Sequence, residues 1–416
     1  MASRTAHGQY RSDFRCRYTG TVQRILVALV LITTIDASTA AVQELPSPAG
    51  PGAAQPFLSA DHRGRLLMSW IEPVGATGRF ALRFARFNGQ WSKAQTIVER
   101  ADLFVNWADF PSIVSDSKGN LIAHWLQKSG SSTYAYDVRY AVSRDGGRTW
   151  STPTLLNRDG KMVEHGFASF VARESGGFAA VWLDGRQMPE NSEEGDMSLR
   201  YADIDARGRI ARDVMLDQRT CECCTTTMTR SGDNSVVAYR DRSEKEIRDI
   251  AIVRVGAKTV STPSRLHDDA WQIAGCPVNG PQIDARENRV AAAWFTGASN
   301  QSRVNVAFST DGASTFAQPI RVDSGAPMGR VDVLLLPNND ALVVWMEGVG
   351  NAAQVSARRV SPSGRLGPIV TLADSSSARS SGFPRATLIG NKAYFAWTEP
   401  STPKKVHVAF VETRTF

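Results

Sequence analysis

One strand-like pattern recurs seven times along the chain. Each copy is a short run of small or β-branched apolar residues that ends in an aromatic residue. The aromatic residues lie 51 to 57 residues apart, and they are Trp70, Trp125, Trp182, Tyr239, Trp294, Trp345 and Trp397. A regular spacing of this length indicates that one supersecondary unit is repeated and that neighbouring units bury a shared core.

Other strand signals surround each aromatic run. A short strand and a turn precede most copies, and a third and a fourth strand follow them. Four short antiparallel strands in about 50 residues, with no amphipathic helix between them, are typical of one blade of a β-propeller. We therefore predict an all-β protein, a β-propeller of four-stranded antiparallel blades. Seven blades are preferred, and six are the alternative.

The seventh repeat lacks its fourth strand. Residues 42–59 resemble residues 369–387, where the sixth repeat ends and the seventh begins. We therefore expect the N-terminal strand to supply the missing outer strand, because this closes the ring and leaves no open sheet edge. The propeller is predicted to be one domain from residue 42 to residue 416.

Residues 1–40 differ from the rest of the chain. Five arginines precede an apolar run at residues 25–35, and small residues follow at 37–41. This order is typical of a secretory signal peptide, here with cleavage near Ala40. The apolar run is shorter than the roughly 20 residues that span a bilayer. We therefore expect a periplasmic or secreted protein with no stable membrane span after signal removal.

The charge of the chain argues against one class of partner. The formal net charge is +7, and the five arginines and two aspartates of residues 1–40 supply +3 of it, which leaves +4 for the remainder. That remainder has no basic run and no helix that could enter a groove, so nucleic acid is not an expected partner. The sequence carries no signal for a particular oligomeric state.

The segment Ser143–Trp150, SRDGGRTW, lies between two strand-like runs. Its glycines can take the positive φ of a tight turn, and the serine and aspartate side chains can bind turn N–H groups. A degenerate copy, STDGASTF, occupies residues 309–316. The pattern S-x-D-x-G-x-T-W resembles the Asp box, or BNR repeat, of the sialidase superfamily of β-propellers. The resemblance implies a structural turn that is formed by Ser143, Asp145, Gly147, Thr149 and Trp150.

Strand alternation places the loops of a propeller on two faces. We call first face the one that carries the connections between blades and those from second to third strands. The second face carries the remaining turns, including the Asp box. Polar residues gather in the predicted first-face loops, where we expect the functional site. The candidate ligand-binding residues are Asp184, Arg186, Arg240, Arg330, Arg385 and His165, and the candidate catalytic residues are Asp109 and Asp241. Paired Asp and Arg side chains would suit an anionic or polyhydroxylated small molecule, such as a glycan.

The four cysteines beyond residue 40 fall in two of these loops. Cys221, Cys223 and Cys224 precede the strands of the fourth repeat, and Cys276 precedes those of the fifth. A ring brings the two loops side by side. We expect disulfides, with Cys276 bonded to one of the other three and a second bridge among the rest. The alternatives are a thiolate site for copper or zinc, with His165 as an additional ligand, and a redox-active pair.

The sialidase resemblance also implies an activity. Enzymes of that superfamily hydrolyse terminal sialic acids with three arginines on the substrate carboxylate, a Tyr–Glu nucleophile pair and an Asp acid. Residues 55–59 lack the arginine of the family's Phe/Tyr-Arg-Ile-Pro segment, and no tyrosine falls on a first-face loop of a late blade. We therefore prefer an exported glycan-binding propeller, a divergent cysteine-containing relative. A sialidase-type glycoside hydrolase and a metal-handling or redox propeller are the alternatives.

Overall fold

The protein is an all-β propeller of seven four-stranded antiparallel blades. The computed structural model describes residues 42–189 and 195–416, so the predicted signal peptide lies outside the described residues. The predicted fold class is confirmed, and the count is seven blades rather than six. Within the described residues, no helix has the length and apolar character to cross a membrane.

The blades follow one another along the chain. Blade 1 contains β2 (Ala54–Ala60), β3 (Leu66–Pro73), β4 (Phe80–Phe87) and β5 (Gln95–Arg100), and blade 2 contains β6 (Ser112–Ser115), β7 (Leu121–Lys128), β8 (Tyr136–Ser143) and β9 (Thr154–Leu155). Blade 3 contains β10 (His165–Ala172), β11 (Phe178–Asp184), β12 (Met197–Ile204) and β13 (Ile210–Thr220), and blade 4 contains β14 (Thr227–Ser231), β15 (Asn234–Arg240), β16 (Ile250–Val255) and β17 (Ser264–Arg265).

Blades 5 to 7 complete the ring. Blade 5 contains β18 (Gln282–Arg286), β19 (Arg289–Thr296), β20 (Arg303–Ser309) and β21 (Ile320–Arg321). Blade 6 contains β22 (Pro327–Leu335), β23 (Ala341–Val349), β24 (Ala352–Val360) and β25 (Leu366–Ser375). Blade 7 contains β26 (Arg385–Ile389), β27 (Lys392–Glu399), β28 (Lys405–Glu412) and β1 (Gln43–Leu45). Single 3₁₀ turns occur at Ala298–Asn300, Arg379–Ser381 and Thr413–Thr415.

The N-terminal strand closes the ring, as predicted. β1 is the outer strand of blade 7 and pairs antiparallel with β28, with Gln43 opposite Phe410 and Leu45 opposite Val408. The first described strand and the last therefore belong to one sheet. Because every blade has neighbours on both sides, the apolar faces of all seven sheets are covered.

The repeated aromatic residues pack between blades. Trp182 of blade 3 belongs to a cluster with Ile122 and Val138 of blade 2, and Trp70 of blade 1 packs with Val408 of blade 7. Five of these tryptophans are at most 1% exposed. The interpretation that they form the core rather than a ligand site is confirmed.

The indole N–H of the repeated tryptophan often has a partner two residues later. Trp70 donates to Glu72, Trp182 donates to Asp184 at 2.8 Å, and Trp345 donates to Glu347. A buried indole needs an acceptor for its only donor group. The acidic residue near the end of each of these strands therefore satisfies the buried indole N–H.

The SRDGGRTW turn links β8 to β9 and is held by its own side chains. Ser143 Oγ accepts the Gly147 N–H at 2.7 Å, and Asp145 accepts both the Thr149 N–H and its hydroxyl. These hydrogen bonds, chiefly the one from the Thr149 hydroxyl, lower the pKa of Asp145. Gly147 has φ of 91°, and a Cβ there would lie 2.3 Å from the Phe84 ring. Trp150 packs edge-on against the same ring.

This turn lies on the second face. In blade 5 the equivalent turn hydrogen-bonds to the turn between the first two strands, since the Gly312 N–H donates to Asn288 O at 2.8 Å. The cysteine-bearing loops connect successive blades and so lie on the first face. The expected separation of the Asp box from the cysteine-bearing face is therefore observed.

Replacing one interblade tryptophan should destabilise the whole ring. Trp182→Ala removes a buried indole and leaves a cavity, so we expect the free energy of unfolding to fall by about 3–5 kcal/mol. Met215→Ala on the same blade is the control, because Met215 is 47% exposed and its loss should change stability by about 0.5 kcal/mol or less. Denaturant unfolding measures both, and equal losses would contradict the assigned role of Trp182.

Candidate functional site

Two disulfides mark the first face. Cys223 bonds Cys276 across 53 residues and joins the loops that lead into blades 4 and 5, while Cys221 bonds Cys224 within the first of these loops. The predicted proximity of the two loops and the preferred disulfide arrangement are both observed. Sequence reasoning left the pairing open, because three closely spaced cysteines offer several equivalent partners.

The cysteine cluster has the donors for a soft metal only when it is reduced. The sulfurs of Cys221, Cys223 and Cys224 lie within 4.8 Å of one another, and within the described residues His165 is not part of this group. Thiolates bind metals, whereas disulfide sulfurs are poor ligands. The copper or zinc site therefore stays a prediction for the reduced protein.

Arg240 is held by backbone carbonyls. Its guanidinium donates to Asn279 O at 2.8 Å, to Arg248 O at 2.5 Å and to Phe295 O at 2.7 Å. It also stacks on Trp271, and burial lowers the pKa of Arg240 to about 10. These contacts tie blade 4 to blade 5. The Arg240 side chain is 1% exposed, so a ligand on the first face cannot reach it.

Asp184 and Arg186 bind each other. The Arg186 guanidinium forms a two-pronged pair with Asp184, with nitrogen–oxygen distances of 2.6 and 2.8 Å. Asp184 also accepts the Trp182 indole N–H and is fully buried. Arg186 is partly exposed, so only the arginine of this predicted pair is open to a ligand.

His165 is buried among three carboxylates. Its Nε2 lies 3.3 Å from Asp159 and 3.9 Å from Asp184, and its Nδ1 lies 3.9 Å from Asp137. Burial alone would lower the pKa of His165, but the neighbouring carboxylates outweigh it and raise that pKa. The residue therefore belongs to a buried charge cluster.

Asp109 forms a buried acid group with two residues that the sequence did not single out. The Phe167 N–H donates to Asp109 Oδ2 at 2.8 Å, and the Tyr136 hydroxyl lies 3.4 Å from the same oxygen. Tyr136 donates more closely to Glu164, at 2.8 Å. Burial, with a smaller contribution from the Glu164 charge, raises the pKa of Asp109 to about 8. The Asp109 carboxyl is therefore protonated at neutral pH.

The lack of a side chain at Gly166 makes room for the carboxyl of Asp109. A Cβ at Gly166 would lie 2.0 Å from Asp109 Oδ2. Tyr136 is fully buried and Asp109 is 2% exposed, so the pair lies beneath the first-face surface. The available sequence signal was a tyrosine at the start of the third strand of blade 2, Tyr136, and a glutamate just before the first strand of blade 3, Glu164. The sequence alone did not show that the ring brings these two residues together.

Asp241 has a different environment. Burial, and then the charge of Asp217, raise the pKa of Asp241 to about 6. Asp217 accepts a hydrogen bond from the Tyr239 hydroxyl, and Asp241 accepts the Arg242 N–H at 2.7 Å. Thr220 at the end of β13 pairs with Asp241, which places this acid at the seam between blades 3 and 4.

Arg330 and Arg385 belong to the first strands of blades 6 and 7. Arg330 donates to Ala378 O and Gly382 O and stacks on Trp107, with its guanidinium carbon 4.9 Å from the ring centroid. Arg385 lies between the rings of Phe57 and Phe110, at 5.1 and 5.2 Å. Both predicted arginines thus contact aromatic side chains that converge from other blades.

A cavity of about 430 Å³ opens on the first face beside Trp107. Loops of blades 1, 2 and 7 line it, and the lining residues are Ala54, Gln55, Val105, Asn106, Trp107, Arg379, Ser380, Gly382, Thr398 and Lys404. We call it the Trp107 cavity. Its lining includes two exposed cationic residues, Arg379 and Lys404, and none of the described residues that line it is acidic. Sequence reasoning missed these residues, because they lie in separate loops that only the ring brings together.

A larger cavity, of about 1050 Å³, is lined by the first strands of all seven blades and by turns of the second face. Its lining mixes both charges, since five acidic residues accompany Arg230, Arg286, Arg289 and Arg385. The acidic residues are Glu174, Asp233, Asp284, Glu287 and Asp332. Size alone favours this cavity, but its charge is close to balanced, whereas the two charged residues that line the Trp107 cavity are both positive.

Comparison with known proteins identifies the fold. No protein-family model and no curated protein matches the chain. A solved ulvan lyase, a polysaccharide lyase, is similar with a TM-score of 0.57 and 12% identity over 89% of this chain and 96% of that one. An α-L-arabinofuranosidase of Fusarium graminearum has a TM-score of 0.50 and 12% identity over 90% and 98% of the two chains. The NanB sialidase of Streptococcus pneumoniae has a TM-score of 0.47 and 8% identity over 90% and 95%. The shared feature is the propeller fold.

The buried acid group should make stability depend on pH. The folded pKa of Asp109, about 8, lies above its ordinary value of 3.8. The folded state therefore holds a proton that the unfolded chain releases, and the contribution of this group to stability is lost as the pH rises from 4 to 8. Relative to Asp109→Asn, wild-type stability should fall by up to about 1.4 kcal/mol per pH unit in that interval.

Chemical denaturation of both proteins at several pH values measures this difference. The asparagine variant keeps the size of the side chain and cannot titrate, so it is the matched control for the other buried acids. A constant difference between pH 4 and pH 8 would contradict the assignment of a protonated Asp109.

Proposed function

We propose that this protein is an exported propeller that binds an anionic sugar or oligosaccharide in the Trp107 cavity. The charged residues of the lining carry the proposal, because both are positive. Arg379 and Lys404 supply two positive charges without an acidic neighbour among the lining residues, and a concave surface of one sign attracts ligands of the opposite sign. An arginine can also bind a carboxylate or sulfate with two parallel hydrogen bonds.

The Trp107 ring suits the apolar side of a sugar. Its orientation is fixed by Arg330, which stacks on the indole at 4.9 Å, and by Phe383, whose ring lies 5.9 Å away at an angle of 23°. A fixed aromatic ring with polar groups beside it is a common arrangement in ligand pockets. The electron-rich ring face attracts the C–H groups of a pyranose, as it attracts other weakly positive groups.

Gln55 adds a polar group to the same cavity. Its Oε1 is buried and accepts no hydrogen bond from the protein, while its amide nitrogen donates to Asn106 O. Its φ is 58°, a conformation that non-glycine residues rarely adopt. A sugar hydroxyl can satisfy this acceptor when the Gln55 side chain turns toward the cavity, because Oε1 is otherwise buried.

Two further observations support parts of the proposal. The paired cysteines favour an oxidising compartment, which agrees with the secretory signal expected at residues 1–40. An ulvan lyase of similar fold, at a TM-score of 0.56 and 13% identity, was solved bound to -[GlcA(1-4)Rha3S]-. That likeness extends to the fold, so the ligand class rests on the cavity of this chain.

Calorimetric titration with acidic and neutral oligosaccharides tests the proposal. We expect binding of uronate- or sialate-containing ligands and none of a neutral oligosaccharide of equal length. Arg379→Ala and Lys404→Ala should each weaken binding about tenfold, which corresponds to about 1.4 kcal/mol. Arg207→Ala is the control, because this exposed arginine lies in a second-face turn. Equal affinity for neutral ligands, or equal loss in the control, would contradict the proposal.

Glycoside hydrolysis is the second candidate, and the Asp109 group favours it. A protonated acid with a pKa near the working pH is suited to general acid catalysis, and Tyr136 donates to Glu164 as a Tyr–Glu pair requires. The sialidase resemblance implies the same three residue types. Because Tyr136 is fully buried, catalysis requires the first-face loops to open.

Fluorogenic sialosides and a panel of aryl glycosides test the second candidate. Hydrolysis by the wild-type protein that falls about 100-fold or more in Asp109→Asn would support it. An absence of turnover by protein that binds acidic sugars would remove it and leave the binding function.

A further inference from the structure

The two disulfides of the first face are in contact. Cys221 Sγ lies 3.9 Å from Cys223 Sγ, although the two sulfurs belong to different bridges. Thiol–disulfide exchange proceeds when a thiolate attacks one sulfur of a disulfide. A thiolate at Cys223 would therefore already lie beside a sulfur of the Cys221–Cys224 bridge.

The two bridges differ in access to solvent. Cys276 is exposed and Cys223 is half-buried. Cys221 and Cys224 are 1% and 2% exposed. An external thiol can reach Cys276, whereas the inner bridge is covered. Electrons would thus enter at Cys276 and pass inward through Cys223.

A buried cation lies beside the inner bridge. Arg248 Nη1 is 3.5 Å from Cys221 Sγ, and the side chain of Arg248 is 2% exposed. Glu222 and Glu246 pair with the same guanidinium at 2.8 and 2.9 Å, and Arg242 lies close to both carboxylates. Two arginines therefore face two carboxylates at this place. An adjacent guanidinium favours a thiolate, and stabilising the reduced form makes a disulfide a stronger oxidant.

We propose that the four cysteines form a dithiol–disulfide exchange site, in which Cys276 and Cys223 pass reducing equivalents from an external dithiol to the Cys221–Cys224 bridge. The proposal goes beyond sugar binding and does not depend on it. The partner is defined by its chemistry as a dithiol, either a small molecule or the reactive pair of another protein.

The exchange proceeds in four steps that conserve atoms and electrons. A donor thiolate attacks Cys276 Sγ, the Cys223–Cys276 bond breaks, and Cys223 leaves as a thiolate. Cys223 then attacks Cys221 Sγ and releases Cys224, which takes a proton. The second donor thiol attacks the donor sulfur bound to Cys276, so the donor becomes a disulfide and Cys276 becomes a thiolate. Cys276 finally attacks Cys223 Sγ and releases Cys221 beside Arg248. Two electrons have moved from the donor to the inner bridge, and the Cys223–Cys276 bridge is re-formed.

Graded reduction of the folded protein tests this order. The protein is titrated with dithiothreitol without denaturant, quenched with acid, alkylated and mapped by peptide mass spectrometry. We expect the first alkylated pair to be Cys221 and Cys224, with the exposed Cys223–Cys276 bridge still intact. Reduction confined to Cys223 and Cys276, or no reduction before unfolding, would overturn the proposal.

Removal of the outer bridge tests the path. In the double variant Cys223→Ser/Cys276→Ser, reduction of the covered Cys221–Cys224 bridge should slow at least about tenfold, because exchange requires an accessible sulfur. Thermal unfolding verifies that the variant is folded. A rate equal to that of the wild-type protein would show that the inner bridge reacts directly and would overturn the path.

Arg248 provides a test that leaves every cysteine in place. Arg248→Gln should shift the dithiothreitol equilibrium of the inner bridge about tenfold toward the disulfide, or about 30 mV. Arg248→Lys keeps the charge and should remain close to wild type. If the two variants shift equally, the effect is structural and the assigned role of Arg248 is wrong.

Discussion

The pairing of β1 with β28 is the constraint on which the rest of the structure depends. Gln43–Leu45 hydrogen-bonds to the last strand of blade 7, so a strand from the start of the described chain completes the sheet formed by its end. Each blade can then bury its second-strand aromatic residue against the blade before it. Without this closure, blades 1 and 7 would each expose an apolar sheet face to water.

Closure also gives the molecule two chemically different faces. On the first face the loops between blades form the Trp107 cavity, whose charges are both positive. The first strands of the blades and turns of the second face surround a larger cavity with nearly balanced charge. The Asp box stabilises a turn of that second face through Ser143 and Asp145. The sequence motif that first suggests a glycan-related fold is therefore remote in the topology from the cavity that suits a glycan.

Several buried contacts use polar groups that could be mistaken for a binding site. The guanidinium of Arg240 meets three carbonyls, and Asp184 meets an indole N–H and an arginine of its own blade. A buried charge needs such partners, because desolvation otherwise disfavours it. Much of the polar character of the inner first face thus satisfies buried groups, and the exposed charges that line the Trp107 cavity are on Arg379 and Lys404.

The fold could be predicted from the sequence because the aromatic residues repeat at a nearly constant interval and residues 42–59 resemble residues 369–387. The order of the blades in the ring then placed Cys276 beside Cys221–Cys224. The disulfide pairing could not be predicted, because each of the three neighbouring cysteines was an equally suitable partner for Cys276. The pattern of a tryptophan followed two residues later by an acid, as at Trp70 and Trp345, could have identified Asp184 as a core partner.

The residues of the Trp107 cavity were harder to predict than the fold. The burial of Arg240 depends on loops of the next blade, and the Trp107 cavity joins short segments from three blades. No pattern in the sequence marks such a junction, because the segments are far apart along the chain. The secretory signal at residues 1–40 and the catalytic roles of Asp109 and Asp241 stay predictions.

Hydrogen–deuterium exchange with an acidic oligosaccharide tests the central claim most directly, since it reports which face the ligand covers. The account predicts slower exchange at residues 105–107, 378–382 and 402–405, which surround the Trp107 cavity, and no change at residues 284–289 and 335–339. Protection confined to those second-face turns would contradict it.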